Sequence, residues 1–343
     1  MTTDTIFNIA SMTKPMTTVA ALSLQEQGKL LIDDPVSKYV PGFTDMKVAM
    51  QNPGGTAITG TVAADRPLTI RDLMTHTSGL IYGGRGATAV HKLYPPGSGG
   101  AAQLMNGQEF LAKLSSLPLL YQPGTVWDYG FGLDITGLIV EALTKESLGD
   151  YLESQVFKPL GMVDTGFLIP TDKVSRYAHA LPTDPATGQP QTVDPDATHA
   201  TKFECGGGCA VSTAGDYMRF ATMLLNHGVF DGQRILGRKT VEYMTANQLG
   251  PHVRNLIGNA DPHADRLRVR PRARRPDHAG DRPFPGLGRH VHLARRQRDE
   301  LVGRSPRTSR RRLHGAYAGP GAVALPGTDR CAGVSGYRRL GRS

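Results

Sequence analysis

A serine and a lysine stand three residues apart near the start of the chain, as Ser11 and Lys14. On an α-helix, side chains with this spacing lie on one face, so the hydroxyl and the amine can meet. A serine hydroxyl is a poor nucleophile until a base removes its proton, and a lysine kept away from water can help to remove it. The same spacing also occurs by chance, and a lysine near a helix start usually extends into solvent. The pair predicts catalysis only if its surroundings bury the amine.

The segment around this pair predicts a buried helix. From Ile6 through Leu24, Lys14 is the only charged side chain. Small or apolar residues would cover most of the circumference of this helix, a pattern typical of a helix inside a domain. Pro15 is tolerated in a first turn, where N–H groups have no partner within the helix, and Gly28 is a suitable C-terminal stop. We expect this helix to organise the rest of the chain.

Other elements must hold this helix in place, and the sequence predicts mostly helices separated by loops. Residues 51–66 are rich in turn formers and predict a loop, and residues 164–200 are polar and rich in proline, with weak strand signals. Apolar spacing and capping residues predict a short helix capped by Thr69 and ended near Gly79, then helices at 107–115, 133–145 and 148–156 (ending before Pro159), one capped by Ser212 or Thr213 and running to 226, and one at 236–246.

Five boxes along the chain together resemble one enzyme family. In order they are Ser11-Met12-Thr13-Lys14, Leu73-Met74-Thr75-His76-Thr77-Ser78-Gly79-Leu80, Tyr129 after Trp127-Asp128, Pro159 to Phe167, and Gly206 to Phe220. From about Thr5 to Leu249 the chain resembles serine β-lactamases and D-alanyl-D-alanine peptidases. The resemblance is closest to the class C-like branch, which includes β-lactamase-fold carboxylesterases. It implies an α+β, β-lactamase/transpeptidase-like fold, in which an antiparallel sheet is flanked by helices beside an all-helical region.

The resemblance implies roles for three side chains. Ser11 would be the nucleophile that becomes acylated, and Lys14 would help to deprotonate it. Tyr129 would share the role of base and later protonate the leaving group. The Ser11 N–H would supply half of an oxyanion hole, with a donor on an edge strand supplying the other half. No cofactor and no metal are implied, and we expect His76 to be a buried turn residue rather than the base.

Two departures from the family pattern affect the predicted substrate. β-Lactamases have Tyr-x-Asn in the second box, but Phe131 stands at the Asn position here. This difference favours a small ester over a β-lactam or a D-Ala-D-Ala-type amide, and Phe131 and Trp127 are the predicted substrate-binding residues. The third box, a Lys/His/Trp-x-Gly strand that lines the substrate groove, should follow Leu249, and we do not identify it there.

Composition argues against several other classes of protein. The three cysteines, Cys205, Cys209 and Cys331, give no disulfide framework. Cys205 and Cys209 have a spacing found in some zinc sites, but no second pair with ligand spacing accompanies them, so we interpret Cys-Gly-Gly-Gly-Cys as a glycine-rich turn. No apolar run approaches the ~18 residues of a membrane span and nothing resembles a signal peptide, so we expect no membrane partner and favour the cytoplasm.

The last part of the chain differs in composition from the rest. Residues 264–343 contain 20 Arg, no Lys and 6 acidic residues, a net charge of +14, whereas residues 1–263 carry −5. A natural arm that binds nucleic acid would mix Lys with Arg. The bias predicts a reading-frame shift near Ala264 in a GC-rich gene, and shifting residues 291–299 by one base restores a Trp-x-Gly box. We therefore divide the chain into a β-lactamase-like hydrolase domain, 1–263, and an out-of-frame, disordered tail, 264–343.

The start of the chain leads to a similar expectation. The family normally places about two strands and a helix before the nucleophile, which here is residue 11. Without those strands and the ones expected after residue 264, the sheet that covers the Ser11 helix would be incomplete. We expect little or no hydrolase activity from the chain as written, since the loss of one oxyanion donor alone costs about 100- to 1000-fold in rate.

Two other functions stay open on the sequence alone. The Arg-rich tail could bind nucleic acids or other anions, in a salt-dependent and non-specific manner. The chain could also be an inactive scaffold with the β-lactamase fold, although intact Ser11, Lys14 and Tyr129 argue against a long history of inactivity. The leading prediction is a serine hydrolase that forms an acyl-enzyme with a small-molecule ester or β-lactam and has no specific nucleic-acid partner.

Overall fold

The computed structural model of the chain describes residues 1–179, 181, 183, 188–190 and 196–255. Nine α-helices lie in this part of the chain. They are α1 (Thr13–Glu26), α2 (Ile70–Met74), α3 (Ser98–Leu104), α4 (Gly107–Ser116), α5 (Gly132–Thr144), α6 (Leu148–Leu152), α7 (Lys158–Leu160), α8 (Ala214–Leu225) and α9 (Arg238–Thr245). The helices predicted at 107–115, 133–145, 213–226 and 236–246 are therefore confirmed to within a few residues.

Helix α1 is buried along most of its length. Every residue from Thr13 to Leu22 is buried, and Pro15 lies in the first turn as predicted. Gly28 follows the helix with φ +69°, the left-handed conformation that ends many helices. Helices α5 and α6 pack against α1, and the apolar side chains of all three join one large core. The predicted buried helix is confirmed.

Short strands pair two by two in the described residues. The pairs are β1 (Ile6–Asn8) with β5 (Val211–Thr213), β2 (Lys47–Gln51) with β3 (Ile58–Ala63) and β6 (Val229–Phe230) with β7 (Gln233–Arg234), all antiparallel, and β4 (Val126–Trp127) with β8 (Arg254–Asn255), which is parallel. Ile6 lies opposite Thr213, and because β1 leads into α1 and β5 into α8, this pair sets the two helix starts side by side. Helices combined with small sheets confirm the predicted α+β class.

The predicted loop at residues 51–66 is wrong, because it contains strand β3. Most of β3 is exposed, so its sequence lacks the apolar alternation that predicts a half-buried strand. Gly60 and the threonines of β3 instead resemble turn residues. The strand forms because it pairs with β2 along its length, an interaction that single-residue preferences do not report.

Two predicted helix ends also differ from the structure. Helix α2 begins at the Thr69 cap as predicted but ends at Met74 rather than near Gly79. It stops because His76 adopts a left-handed conformation, with φ +57°. The helix predicted to end before Pro159 instead continues through it to Leu160. A π-helical turn at residues 153–157 interrupts the regular hydrogen bonds just where proline has no N–H to give.

The interpretation of Cys205 to Cys209 as a glycine-rich turn missed a disulfide. Cys205 and Cys209 form a disulfide, with their Cα atoms 5.2 Å apart. The glycine-rich turn predicted between them is present, and the N–H groups of Gly208 and Cys209 both donate to the Cys205 carbonyl at 3.1 Å. This turn brings the two Cα atoms within the range that a disulfide needs.

Several sequence-based predictions concern residues outside the described part of the chain. The Arg-rich tail, the proposed frame shift near residue 264 and the third family box all lie there. Within the described residues, no helix has both the length and the apolar character needed to cross a membrane.

Candidate active site

The backbone bends sharply just before Ser11. Ala10 has φ +43°, in the left-handed region that residues with a side chain rarely adopt. Its N–H donates to Asn8 Oδ1 at 2.9 Å, and the Thr13 hydroxyl donates to its carbonyl at 2.7 Å. These bonds hold the turn Ala10–Met12, on which Ser11 is half-buried and therefore reachable. Strained turns of this kind cluster at functional sites, so the geometry favours Ser11 as the nucleophile.

Lys14 is buried beside Ser11, with 2% of its surface exposed. Its Nζ donates to Ser11 Oγ at 3.1 Å and to the Gly207 carbonyl at 2.5 Å. A charged amine is costly to bury unless polar partners surround it, and these two acceptors lie within hydrogen-bond distance. The alternative that Lys14 extends into solvent is therefore wrong. The amine is instead held where it can exchange a proton with the serine hydroxyl.

Tyr129 lies on another side of the same amine. Lys14 Nζ is 4.4 Å from the centroid of the Tyr129 ring, within the range of a cation–π contact. Tyr129 is half-buried, so part of it is accessible beside the buried Lys14 amine. The structure thus groups Ser11, Lys14 and Tyr129 into one cluster, in which the Lys14 amine contacts the other two. Their catalytic roles stay predictions at this point.

His76 holds the segment that presents Tyr129. The two rings stack with their centroids 4.5 Å apart, and His76 Nδ1 accepts the Gly130 N–H at 3.4 Å. The His76 carbonyl accepts the Asp128 N–H at 2.9 Å. A side chain at Gly130 would collide with the Leu80 carbonyl, so this close packing requires glycine. With 5% of its surface exposed, His76 is buried in a turn, as expected.

Asp134, which the sequence did not single out, is a buried carboxyl beneath the cluster. It lies in the first turn of α5 and is fully buried. Its oxygens accept hydrogen bonds from Ser98 Oγ at 2.9 Å and from the Gly207 N–H at 3.0 Å. Burial raises the pKa of Asp134 to about 6, and the nearby charge of Lys14 opposes part of that rise. The sequence signal that could have identified Asp134 is a single charged residue in an otherwise uncharged stretch. Lys14 was identified by a signal of the same kind.

Asp128 and Arg85 add charge on the outer side of Tyr129. Burial raises the pKa of Asp128 to about 6, and the Arg85 guanidinium opposes this rise. The guanidinium carbon of Arg85 is 5.1 Å from the centroid of the Tyr129 ring. Tyr129 therefore lies near two cationic side chains, Lys14 and Arg85. Such an arrangement stabilises negative charge that develops on a nearby substrate oxygen.

The two predicted substrate-binding residues are both buried. Phe131 is fully buried and packs edge-to-face against Tyr82, with ring centroids 4.5 Å apart. Trp127 has 5% of its surface exposed and lies edge-on to His76, with ring centroids 5.7 Å apart. The structure thus places Phe131 in the core behind the cluster and Trp127 beside His76. A direct contact of either residue with a substrate stays a prediction.

The arrangement as a whole suits acyl transfer. It combines a reachable hydroxyl, a buried amine in hydrogen-bond contact with it, and a phenol ring against that amine. Such a set supplies a nucleophile and an adjacent base, which are the groups that covalent catalysis requires. Among the residues that the structure describes, no three His, Cys, Asp or Glu side chains are grouped to hold a metal.

Comparisons with known proteins show which proteins this chain is similar to. Protein Rv1367c of Mycobacterium tuberculosis is 36% identical over 259 residues, which are 73% of this chain and 61% of that protein. Esterase EstB of Burkholderia gladioli is 35% identical over 169 residues, 49% of this chain and 40% of the esterase. The solved structure of simvastatin synthase (LovD) from Aspergillus terreus matches with a TM-score of 0.60 at 28% identity, over 74% of this chain and 61% of LovD.

The extent of these matches defines what they show. The chain spans 61% of Rv1367c and a smaller share of EstB, so less than two thirds of the curated relatives is represented. The profile of the family described as Beta-lactamase matches residues 1–328. The resemblance seen in the motifs is thereby confirmed, and the chain belongs to the Beta-lactamase family.

Proposed function

We propose that this chain is a serine acyl hydrolase that acts on small esters through an acyl-enzyme. The observation that carries the proposal is the contact between Lys14 Nζ and Ser11 Oγ, 3.1 Å long and buried on the lysine side. A lysine held in this way can accept the serine proton without competition from bulk water. Similarity to EstB, an esterase, supports the same reaction class.

The proposed reaction has two steps. In the first, Ser11 Oγ attacks the ester carbonyl, its proton passes to Lys14 or Tyr129, and a bond forms between Oγ and the acyl carbon. The departing alkoxide takes a proton from this pair as its bond to the acyl carbon breaks. In the second step, water attacks the acyl-enzyme, and the same groups remove its proton and return one to Ser11. The Ser11 N–H is proposed to stabilise the tetrahedral oxyanion in both steps.

The preference for esters over β-lactams rests on the second family box. Phe131 stands where β-lactamases have Asn, and its fully buried ring offers no amide to a lactam substrate. Similarity to simvastatin synthase (LovD) supports a second candidate, in which an alcohol replaces water in the second step. The two candidates share the acyl-enzyme and differ only in the acceptor.

Turnover is proposed to be slow. The second oxyanion donor is expected from the third family box, and the chain has an Arg-rich sequence where that box should lie. The loss of such a donor costs about 100- to 1000-fold in rate. This part of the proposal concerns residues outside the described ones and is tested by the rate itself.

The test is release of p-nitrophenol from p-nitrophenyl butyrate, followed at enzyme concentrations high enough to detect a single equivalent. We expect Ser11-dependent release that Ser11→Ala abolishes, with slow turnover afterwards, and no hydrolysis of nitrocefin. Adding a small alcohol separates hydrolysis from acyl transfer, because a transferase would form the new ester. Release that is unchanged in Ser11→Ala would overturn the proposed function, and fast turnover would overturn only the proposed slowness.

A further inference from the structure

The ring closed by the Cys205–Cys209 disulfide lies directly against helix α1. Its Gly207 carbonyl accepts the Lys14 amine at 2.5 Å, and its Gly206 carbonyl accepts the Thr17 hydroxyl at 2.8 Å. Just after the ring, the Ala210 N–H donates to Thr13 Oγ1 at 3.1 Å. Three residues within the first two turns of α1 thus hydrogen-bond to one short segment more than 180 residues away in sequence.

Gly207 links the two buried charges of the site. While its carbonyl accepts from Lys14, its N–H donates to Asp134 Oδ1 at 3.0 Å. A Cβ at this position would collide with the Asp134 carboxylate, so only glycine lets the backbone approach both groups. The position of this one residue therefore determines where the Lys14 amine is held relative to Ser11.

Three consecutive glycines are a poor choice for holding a peptide still. Glycine has the largest conformational freedom of any residue, so Gly206 to Gly208 would sample many arrangements if nothing restrained them. The disulfide joins the residues on either side of these glycines, and both Cys205 and Cys209 are buried. A covalent link across so short a segment restricts the conformations available to the residues inside it.

We propose that the Cys205–Cys209 disulfide is a positioning element that fixes the Gly207 carbonyl against Lys14. The inference rests on the proposed function, since it assigns the disulfide a role in the acylation of Ser11. The two cysteines touch no substrate; they act through the peptide that holds the amine. Acylation is consequently sensitive to thiols. A dithiol breaks the S–S bond and supplies two electrons and two protons, so that two cysteine thiols form while the dithiol becomes its own disulfide.

The predicted effect falls on the kcat of the acylation step, measured as the maximal rate at which the first equivalent of p-nitrophenol is released, rather than on KM. A displaced Lys14 amine slows proton transfer from Ser11, and a shift of about 1 Å in a reacting group can cost about 100-fold in rate. Cys205 and Cys209 are buried and out of contact with a substrate, so KM should stay within about twofold. We expect breaking the disulfide to lower kcat for p-nitrophenyl butyrate by about 10- to 100-fold.

The experiment compares Cys205→Ser, Cys209→Ser, the double variant and, as a matched control, Cys331→Ser, which removes the cysteine outside the pair. If the bond is the functional unit, each single variant and the double variant show the same loss of kcat, and the control shows none. Additive losses in the single variants, or an equal loss in Cys331→Ser, would overturn the proposal.

A second measurement uses the unsubstituted chain and is informative even if the variants fail to fold. The folded unsubstituted chain is treated with dithiothreitol, thiols are counted by mass spectrometry, and hydrogen exchange is followed in peptides covering residues 203–212 and 132–144. We expect exchange to increase in the first peptide only, together with the fall in kcat. Reduced protein with unchanged kcat and unchanged exchange would overturn the proposal.

The two proposals fail in distinguishable ways. Absence of any Ser11-dependent release from the oxidised chain would overturn the proposed function, and this inference with it. Ser11-dependent release that is indifferent to the state of Cys205 and Cys209 would overturn this inference alone.

Discussion

Helices α1 and α5 pack against each other and share an unusual feature. Each is largely apolar in its buried part, and each places a single charged side chain in its first turn, Lys14 in α1 and Asp134 in α5. Both side chains are buried, and both hydrogen-bond to the same residue, Gly207. The site is therefore a pair of opposite buried charges held by one residue, Gly207.

The two charges differ in what else they contact. Lys14 faces Ser11, which lies on the turn just before its own helix, so the hydroxyl that it serves is three residues away. Asp134 accepts hydrogen bonds from Tyr82, Ser98 and Gly207, which come from other segments. We infer that Lys14 performs the chemistry and that Asp134 compensates its charge. Variants of Lys14 and Asp134 test these two separate roles.

Replacing Lys14 should have the largest effect. Lys14→Met keeps the length of the side chain but removes the base, so we expect Ser11 acylation to slow by about 1000-fold. The measurement is single-equivalent release of p-nitrophenol. Lys29→Met, which changes an exposed lysine just beyond α1, is the matched control and should leave the rate unchanged. A Lys14→Met rate within threefold of the unsubstituted chain would contradict the role of the amine.

Replacing Asp134 should separate activity from stability. Asp134→Asn mimics the protonated acid, so the free energy of unfolding at pH 8 should rise by about 2 kcal/mol, because a buried charge is removed. Acylation should slow by about 10-fold, since the Asp134 carboxylate no longer stabilises the positive charge that Lys14 gains when it takes the Ser11 proton. Denaturant unfolding and p-nitrophenol release measure the two effects, with the exposed Asp45→Asn as control. Loss of stability together with unchanged activity would reverse the inferred roles.

The free energy of unfolding should also depend on pH, by a smaller amount than the effects above and with a direction that the Asp134 pKa determines. Burial raises the pKa of Asp134 to about 6 from 3.8, so the folded chain binds this proton more tightly than the unfolded chain. Its contribution to stability is complete below about pH 4 and is lost as the pH rises to about 6.

The difference between the unfolding curves of the unsubstituted chain and Asp134→Asn isolates this group from other carboxyls, such as Asp164, whose pKa is lowered to about 2 by its hydrogen bond with Arg176. In Lys14→Met the loss of stability should extend to higher pH, because the cation that opposes the rise of the Asp134 pKa is gone. If the difference in the free energy of unfolding between the unsubstituted chain and Asp134→Asn stays constant from pH 4 to pH 7, Asp134 does not titrate in that range.

The smallest expected effects concern the residues that follow the C-terminal ends of the two helices. Helix α1 is followed by Gly28 with φ +69°, whereas α5 is followed by Lys145 in the same left-handed region, with φ +65°. Gly28→Ala should lower the free energy of unfolding by about 1 kcal/mol, and Lys145→Gly should raise it by about 0.5 kcal/mol. Thermal unfolding of both variants checks the pair, and shifts of the same sign would contradict the comparison.

How far the sequence predicts this site depends on distance along the chain. Ser11 and Lys14 are found together because helical spacing alone brings them to one face. Tyr129 is found only through the family pattern, since nothing in its own surroundings reports a contact with residue 14. Gly207 and Asp134 were missed as a unit because their hydrogen bond spans 73 residues, a long-range contact that periodicity does not encode.

The same argument applies to the fold. Helices with apolar spacing and clear caps, such as α8 behind Thr213, were predicted closely. Strand β3 and the disulfide were missed because each depends on a partner rather than on its own residues. The turn that brings Cys205 and Cys209 together was predicted, but the sequence did not show that the two sulfur atoms would meet.

The most direct test of the account is to map where a fluorophosphonate ester reacts and how fast. The account predicts one covalent adduct, on Ser11, whose rate of formation falls about 1000-fold in Lys14→Met. An adduct on another residue, or equally fast labelling of Ser11 in Lys14→Met, would contradict the claim that the buried Lys14 amine activates the Ser11 hydroxyl.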